Sequence, residues 1–217
     1  TRVQVNSGAA IVTLFQDDRP VMSMKAVSGR PGDETPILAS KIHSIVINPP
    51  WNVPTGIAQR ELWPKERANP GYFARNGYRV IRTEGGGTRL QQASGDQSAL
   101  GRFKFDFDND FAVYLHDTPA KGAFELFERQ ASHGCVRLEK PRALADALLA
   151  GDPTWTPEAI DAQLATDKTV RAPLPQDVPV FILYWTAFAG VDGQMHFRSD
   201  TYGWDHELLT RAGVLGP

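Results

Sequence analysis

The chain has 217 residues, with 23 Lys and Arg set against 25 Asp and Glu for a formal net charge of −2. That balance leaves no global basic field for nucleic acid and no block of like charge for an interaction tail. At 41% hydrophobic residues a sizeable core is possible; no apolar run nears the ~20 residues of a membrane helix, and one cysteine excludes an internal disulfide framework.

Residues 1–15 hold no initiator Met, basic n-region or cleavage site, so they do not read as a signal peptide. A start at Thr1 reads as a trimmed or mature chain that has lost its address. Short apolar runs, "VQVN", "AAIVTLF" and "PVMSMKAVSGR", predict strands, two of them joined as a hairpin around residues 17–20. "KIHSIVINPPW" predicts a further strand ended by Pro49-Pro50. Residues 51–92 change character. "TGIAQRELWPKER" and "NPGYFARNGY" predict two short helices, the second capped by Asn69 before Pro70, and "RTEGGGTRLQQASGDQ" predicts a mobile loop. Residues 51–100 are therefore expected to be a small helical insertion within a single domain spanning residues 1–217.

Strands resume at "GRFKFDF", where Phe103, Phe105 and Phe107 alternate with Arg102, Lys104 and Asp106, and at "FAVYLH". "CVRL" predicts a short strand. "KPRALADALLAG" and "TPEAIDAQLA" predict helices, with Pro141 and the Thr156-Pro157 pair at their starts. "VPVFILYWTAF" predicts an apolar strand, "GQMHFRS" its hairpin partner across residues 190–193, and "WDHELLTRA" a closing helix. The expected fold is α+β and β-rich: a mixed sandwich-like or barrel-like sheet with short helices.

The lone Cys135 sits in Ser132-His133-Gly134-Cys135, nineteen residues after His116. A thiol is a few per cent thiolate at neutral pH and needs a base or cation, for which His116, His133 and Arg137 are candidates. The N–H groups of Gly134 and Cys135 could bind an oxyanion. Two other readings stand beside this one: a buried, inert cysteine, and a zinc site drawn from His116, His133, Cys135 and His43. Structural zinc favours closely paired ligands, and no second cysteine is present. His43, His196 and His206 have no motif around them.

With fifteen residues between His116 and Ser132, "HDTP" and "SHGCVR" resemble the signature of the L,D-transpeptidase catalytic domain of YkuD type. "INPPWNVPTGIAQRELWPKERANPGYFARNGY", "ALGRFKFDF" and the segment from Val178 to Asp205 resemble the larger Gram-negative subgroup, whose domain carries a capping insertion. Here the stretch between Tyr78 and Gly101 is shorter and glycine-rich. The resemblance implies Cys135 as nucleophile, His116 as base, the Asp117 backbone carbonyl as orienter of the ring, and Gly134 with Cys135 as oxyanion hole. It implies Ser132, His133, Arg137 and Tyr114 around the substrate. It further implies acyl transfer on peptidoglycan stem peptides with release of D-Ala, no metal or other cofactor, acylation by carbapenems, and a place in the periplasm. A water-using carboxypeptidase or crosslink-cleaving hydrolase, and an inactive cell-wall binding module, share these residues. A papain-like protease would carry its Cys before its His, the reverse of the order here.

Overall fold

A computed structural model describes residues 1–190 and 192–214. β1 (Arg2–Asn6) and β2 (Ile11–Gln16) pair antiparallel. β2 turns into β3 (Arg19–Gly29) through Asp17 and Asp18, both at positive φ, which Asp tolerates in tight turns. β4 (Leu38–Ile47) stops just before Asn48 and the two prolines, as expected of residues that cannot donate to a ladder.

In the next fifty residues both predicted helices form, while the cap, the sheet and the supposed loop depart from the expectation. β5 (Trp51–Asn52) is followed by one continuous helical run: α1 (Thr55–Ile57), a π-helical turn (Ala58–Leu62) and α2 (Trp63–Ala68). α3 (Tyr72–Arg75) starts after Gly71, which sits at φ +85°, so Asn69 does not cap it. The cap comes instead from Glu66 of α2, whose carboxylate accepts the N–H groups of Gly71 and Phe73 at 2.9 and 2.6 Å. The glycine-rich stretch is no long loop. It forms the turn between β6 (Tyr78–Arg82) and β7 (Thr88–Gln92), and β7 lies between β5 and β6 in a three-stranded antiparallel sheet. Val53, Ala58, Leu62, Phe73 and Leu90 give this unit a small core of its own. It is a sheet-and-helix unit rather than a helical one.

β8 (Phe103–Phe107) follows, then β9, which is only Leu115–His116 because residues 111–113 run outside the ladder. A 3₁₀ turn (Lys121–Glu125) leads to β10 (Gln130–Ser132) and β11 (Val136–Leu138). α4 (Pro141–Leu148) and α5 (Pro157–Leu164) come next, the latter capped by Thr156 Oγ1 accepting the Ala159 N–H at 3.3 Å. β12 (Val170–Leu183) is longer than its apolar half predicts. It pairs with β4 on both sides of a register break between Pro173 and Val178, where a Pro-rich run reads in sequence as a breaker. β13 (Ala187–Ala189) and β14 (Met195–Phe197) form a separate hairpin, with Val191 of its expected turn outside the described residues. α6 (Trp204–Arg211) completes the elements.

Among the described residues the main sheet runs β10-β3-β11-β9-β8-β4-β12-β1-β2, and β2 also pairs with β3. Eight strands thus close into a mixed barrel, parallel where β1 meets β12 and where β9 meets β11. Its inward face is set by alternation: Phe103, Phe105, Leu115, Val136 and Leu138 belong to one buried cluster with Leu144 and Ile160 from α4 and α5. Truncating the fully buried Phe105 to Ala should cost about 3–5 kcal/mol. Residues between these positions face the other way, and that outer face carries the cysteine.

Candidate active site

β9 and β11 are adjacent and parallel, with Leu115 opposite Val136 and His116 opposite Arg137. Leu115 and Val136 are fully buried in the core. Alternation then puts Tyr114, His116, Cys135 and Arg137 together on the outer face. β8 extends the row, because Lys104 pairs with His116 from the other side. Four of the site residues expected from the sequence, plus a lysine that was not, converge here, His116 and Arg137 in register and Tyr114 and Cys135 one residue ahead of β9 and β11.

The imidazole is fixed. His116 Nδ1 lies 2.5 Å from the Asp117 carbonyl oxygen, which can only accept, so Nδ1 carries the proton. A neutral ring with its proton there has a bare Nε2. Burial, with repulsion from Arg137 next, lowers the His116 pKa to about 3, against a smaller opposing pull from the Asp117 carbonyl. The Asp117 carboxylate is occupied elsewhere. It accepts from the Arg102 and Thr118 backbone N–H groups at 2.8 and 2.7 Å and from Lys121 Nζ at 2.6 Å.

Cys135 is half-buried by exposure, and its sulfur faces the Ala112 carbonyl at 3.9 Å. Crowding by protein atoms raises its pKa; hydrogen bonds from the Tyr114 backbone and hydroxyl, and the charges of Lys104 and Arg137, pull the other way without winning. The resting pair is a thiol and a neutral imidazole, not a thiolate and an imidazolium. Tyr114 is desolvated so strongly that its hydroxyl stays protonated throughout ordinary pH. The neighbouring thiol adds to that upward push, and the Trp51 indole of β5 pulls the other way.

The loop ahead of the cysteine is knotted internally. Ser132 is buried; its Oγ donates to the Cys135 carbonyl at 2.6 Å and accepts the Gly134 N–H at 3.2 Å. Ser132 is thus turned into the loop and the Gly134 N–H is engaged there, so an oxyanion site would fall to the Cys135 N–H, which has no acceptor among the described residues. Gly134 serves through its backbone: at φ +105° a side chain would be strained. His133 turns away toward the 51–100 unit, where its Nε2 meets Glu61 Oε1 at 2.6 Å. Glu61 sits in the π-helical turn, an irregularity common at functional sites. Among the described residues no three His, Cys, Asp or Glu side chains gather as metal ligands, and His43 lies near Asp108 at 3.7 Å.

Residues 1–156 match the family model of the L,D-transpeptidase catalytic domain, YkuD. The chain belongs to that family. A Haemophilus influenzae protein provisionally named an L,D-transpeptidase is 34% identical over 94% of this chain, which spans 44% of that relative's length. Solved structures that resemble the domain include an L,D-transpeptidase from Mycobacterium smegmatis, at 14% identity, TM-score 0.41, covering 83% of this chain and 57% of the other. Another is the catalytic domain of an Enterococcus faecium L,D-transpeptidase acylated by ertapenem, at 12% identity and TM-score 0.37, covering 84% and 96%. The YkuD match ends before β12, the strand that closes this L,D-transpeptidase barrel between β4 and β1.

Glu61 and Lys104 escaped the sequence reading. Lys104 had a signal, the polar phase of "FKFDF". Glu61 had none, because its partner lies 72 residues away.

Proposed function

We infer that this L,D-transpeptidase domain is a cysteine acyltransferase acting on peptidoglycan stem tetrapeptides and forming 3-3 crosslinks with release of D-Ala. The observation that carries the reading is a free thiol sharing one strand face with an imidazole whose Nδ1 is tied to a carbonyl at 2.5 Å. As the Cys135 sulfur attacks the carbonyl carbon before D-Ala, the thiol proton passes to His116 Nε2. The oxyanion is met by the Cys135 N–H and by the Tyr114 hydroxyl. Collapse of the intermediate breaks the C–N bond; the leaving amine takes the proton from His116, and a thioester remains. A second amine then attacks, gives its proton to the same nitrogen, and the thiol is restored.

Arg137 supports the substrate class. Its Nε is buried with no partner among the described residues, a donor suited to a peptide carbonyl or carboxylate. Burial lowers its pKa, yet a guanidinium keeps its charge. His133 and Glu61 join the catalytic loop to residues 51–100, which act as a cap that limits water and so favours an amine acceptor. A domain with this substrate works in the periplasm. Among the described residues no helix is long and apolar enough to cross a membrane.

The test incubates wild type and Cys135→Ala with ertapenem and, separately, with disaccharide-tetrapeptide, reading intact mass and products. An adduct lost in the variant, with crosslinked dimer from wild type alone, is expected. Tripeptide without dimer would reassign the domain as a carboxypeptidase. Neither adduct nor turnover from folded protein would leave a binding module with relic residues.

A further inference from the structure

The outer row does not end at Lys104. Lys104 pairs with Val46 of β4, and Val46 pairs with Arg171 of β12. Adjacent strands lie about 4.8 Å apart, so the Arg171 backbone is roughly 10 Å beyond that of Lys104, within reach of two long side chains. Both cations converge on one carboxylate. Lys104 Nζ is 2.6 Å from Asp106 Oδ1, and Arg171 Nη1 is 2.8 Å from Asp106 Oδ2. Two positive charges on a single buried counter-charge leave an excess of one. Asp108, also at this rim, is fully solvent-exposed beside His43, and water screens it.

These groups line a cavity of about 370 Å³ whose wall continues through Ala112 and Tyr114. Ala112 supplies the carbonyl facing the Cys135 sulfur, and Lys104 Nζ lies 4.4 Å from the Tyr114 ring centroid. The cavity wall therefore reaches Ala112 and Tyr114, the residues that flank the nucleophile. Asp106 holds both cations in place, so a second anion would meet a preorganised pair. An enzyme that removes a C-terminal residue must tell a free end from an internal one. Two cations gathered on one carboxylate close to the nucleophile would do that.

We propose that the Lys104–Asp106–Arg171 cavity is a carboxylate subsite, holding the terminal carboxylate of the amino acid expelled on the leaving side of Cys135. The inference rests on the acyl-transfer reading for its geometry of donor and leaving group. An amino acid entering as acceptor presents the same carboxylate and would use the same subsite.

The experiment measures binding rather than turnover, in the Cys135→Ala protein, by calorimetry. The ligands are a stem tetrapeptide ending in D-Ala, as free acid and as C-terminal amide, with free D-alanine as competitor. The acid should bind at least about tenfold more tightly than the amide, as a charge-assisted contact provides. Arg171→Gln should remove the preference, Arg171→Lys should restore most of it, and Lys104→Met should reduce it. Equal affinity for acid and amide, or a preference that survives both Arg171→Gln and Lys104→Met, overturns the subsite. Displacement by D-alanine assigns it to incoming and outgoing residues alike, and its failure assigns it to the peptide end alone. Turnover by wild type is scored separately: acid preference without D-Ala release would sink the acyl-transfer reading while leaving the subsite standing.

Discussion

Thr35 Oγ1 donates to the Gly134 carbonyl at 2.8 Å. The same oxygen accepts the Gly29 N–H at 2.8 Å, and Thr35 is fully buried. In a trans peptide the C=O and N–H point opposite ways, so pinning the Gly134 carbonyl fixes the direction of the Cys135 N–H. Tyr202 buttresses the turn, its hydroxyl donating to the Gly29 carbonyl at 2.6 Å. Thr35→Val keeps the shape, strands two buried backbone groups and should cost about 1–3 kcal/mol of stability. It should also slow acylation by ertapenem more than alkylation by iodoacetamide, because alkylation builds no oxyanion. Thr35→Ser should recover both. An equal slowing of the two reactions would show that Thr35 acts on the thiol and not on the oxyanion donor.

The thiol and imidazole are shifted apart, Cys135 upward and His116 downward to about 3. Across neutral pH neither group is charged, so iodoacetamide alkylation should climb through the alkaline range, with a midpoint above the ordinary thiol value of 9.0. A plateau already reached by pH 6 would mean a preformed ion pair instead. The His116 shift has a stability consequence. The unfolded ring titrates near 6.5 and the folded ring near 3, so the unfolded state binds more protons between them. Stability should fall as pH drops below about 6.5, with a slope approaching 1.4 kcal/mol per pH unit from this residue. His116→Asn, which can keep the bond to the Asp117 carbonyl, should flatten that part of the melting profile. Parallel profiles for variant and wild type would contradict the assignment.

How far the sequence carries depends on whether a feature is local. The alternation in "FKFDF" and the Asp17–Asp18 turn are local, and β8 and the β2–β3 hairpin match them. Cys135 and His116 stood out through the motif around the lone thiol and Tyr114 only through the family resemblance, and two short strands in register bring all three together. Asn69 misled because its place next to Pro70 resembles a helix start, whereas Glu66 supplies the cap from the preceding helix. Residues 82–97 read as a loop because glycine and polar side chains dominate, although β7 inside them is the central strand of the small sheet. The row from Arg137 to Arg171 crosses strands far apart in sequence. Only the closed barrel makes it visible.

Trp51 links the small sheet to the surroundings of the nucleophile: its indole lowers the Tyr114 pKa against the push of burial, and its ring packs 6.4 Å from that of Tyr78. Trp51→Phe keeps a ring and removes the donor. Without the indole N–H beside it, the Tyr114 hydroxyl should serve the oxyanion less well and acylation by ertapenem should slow by roughly tenfold, the scale of one neutral hydrogen bond. The melting temperature should change little. If Trp51→Phe acylates at the wild-type rate, Tyr114 is positioned by its own strand alone.

The contact between His133 and Glu61 makes the last prediction, because it joins the catalytic loop to the 51–100 unit. Glu61 also lies 3.7 Å from Arg30, and both partners of the His133 pair are partly exposed. An ion pair at that exposure contributes about 0–1 kcal/mol, so Glu61→Gln should leave the melting temperature nearly unchanged. Its effect should fall on partition. With the cap less firmly held, water reaches the thioester more often, and the ratio of crosslinked dimer to tripeptide should drop while D-Ala release is maintained. Deleting residues 84–96 would be a poorer probe, since it removes β7 and the buried Gln91 and Gln92. If Glu61→Gln keeps the wild-type ratio, the cap does not govern the choice between amine and water, and acceptor selection lies within the barrel face itself.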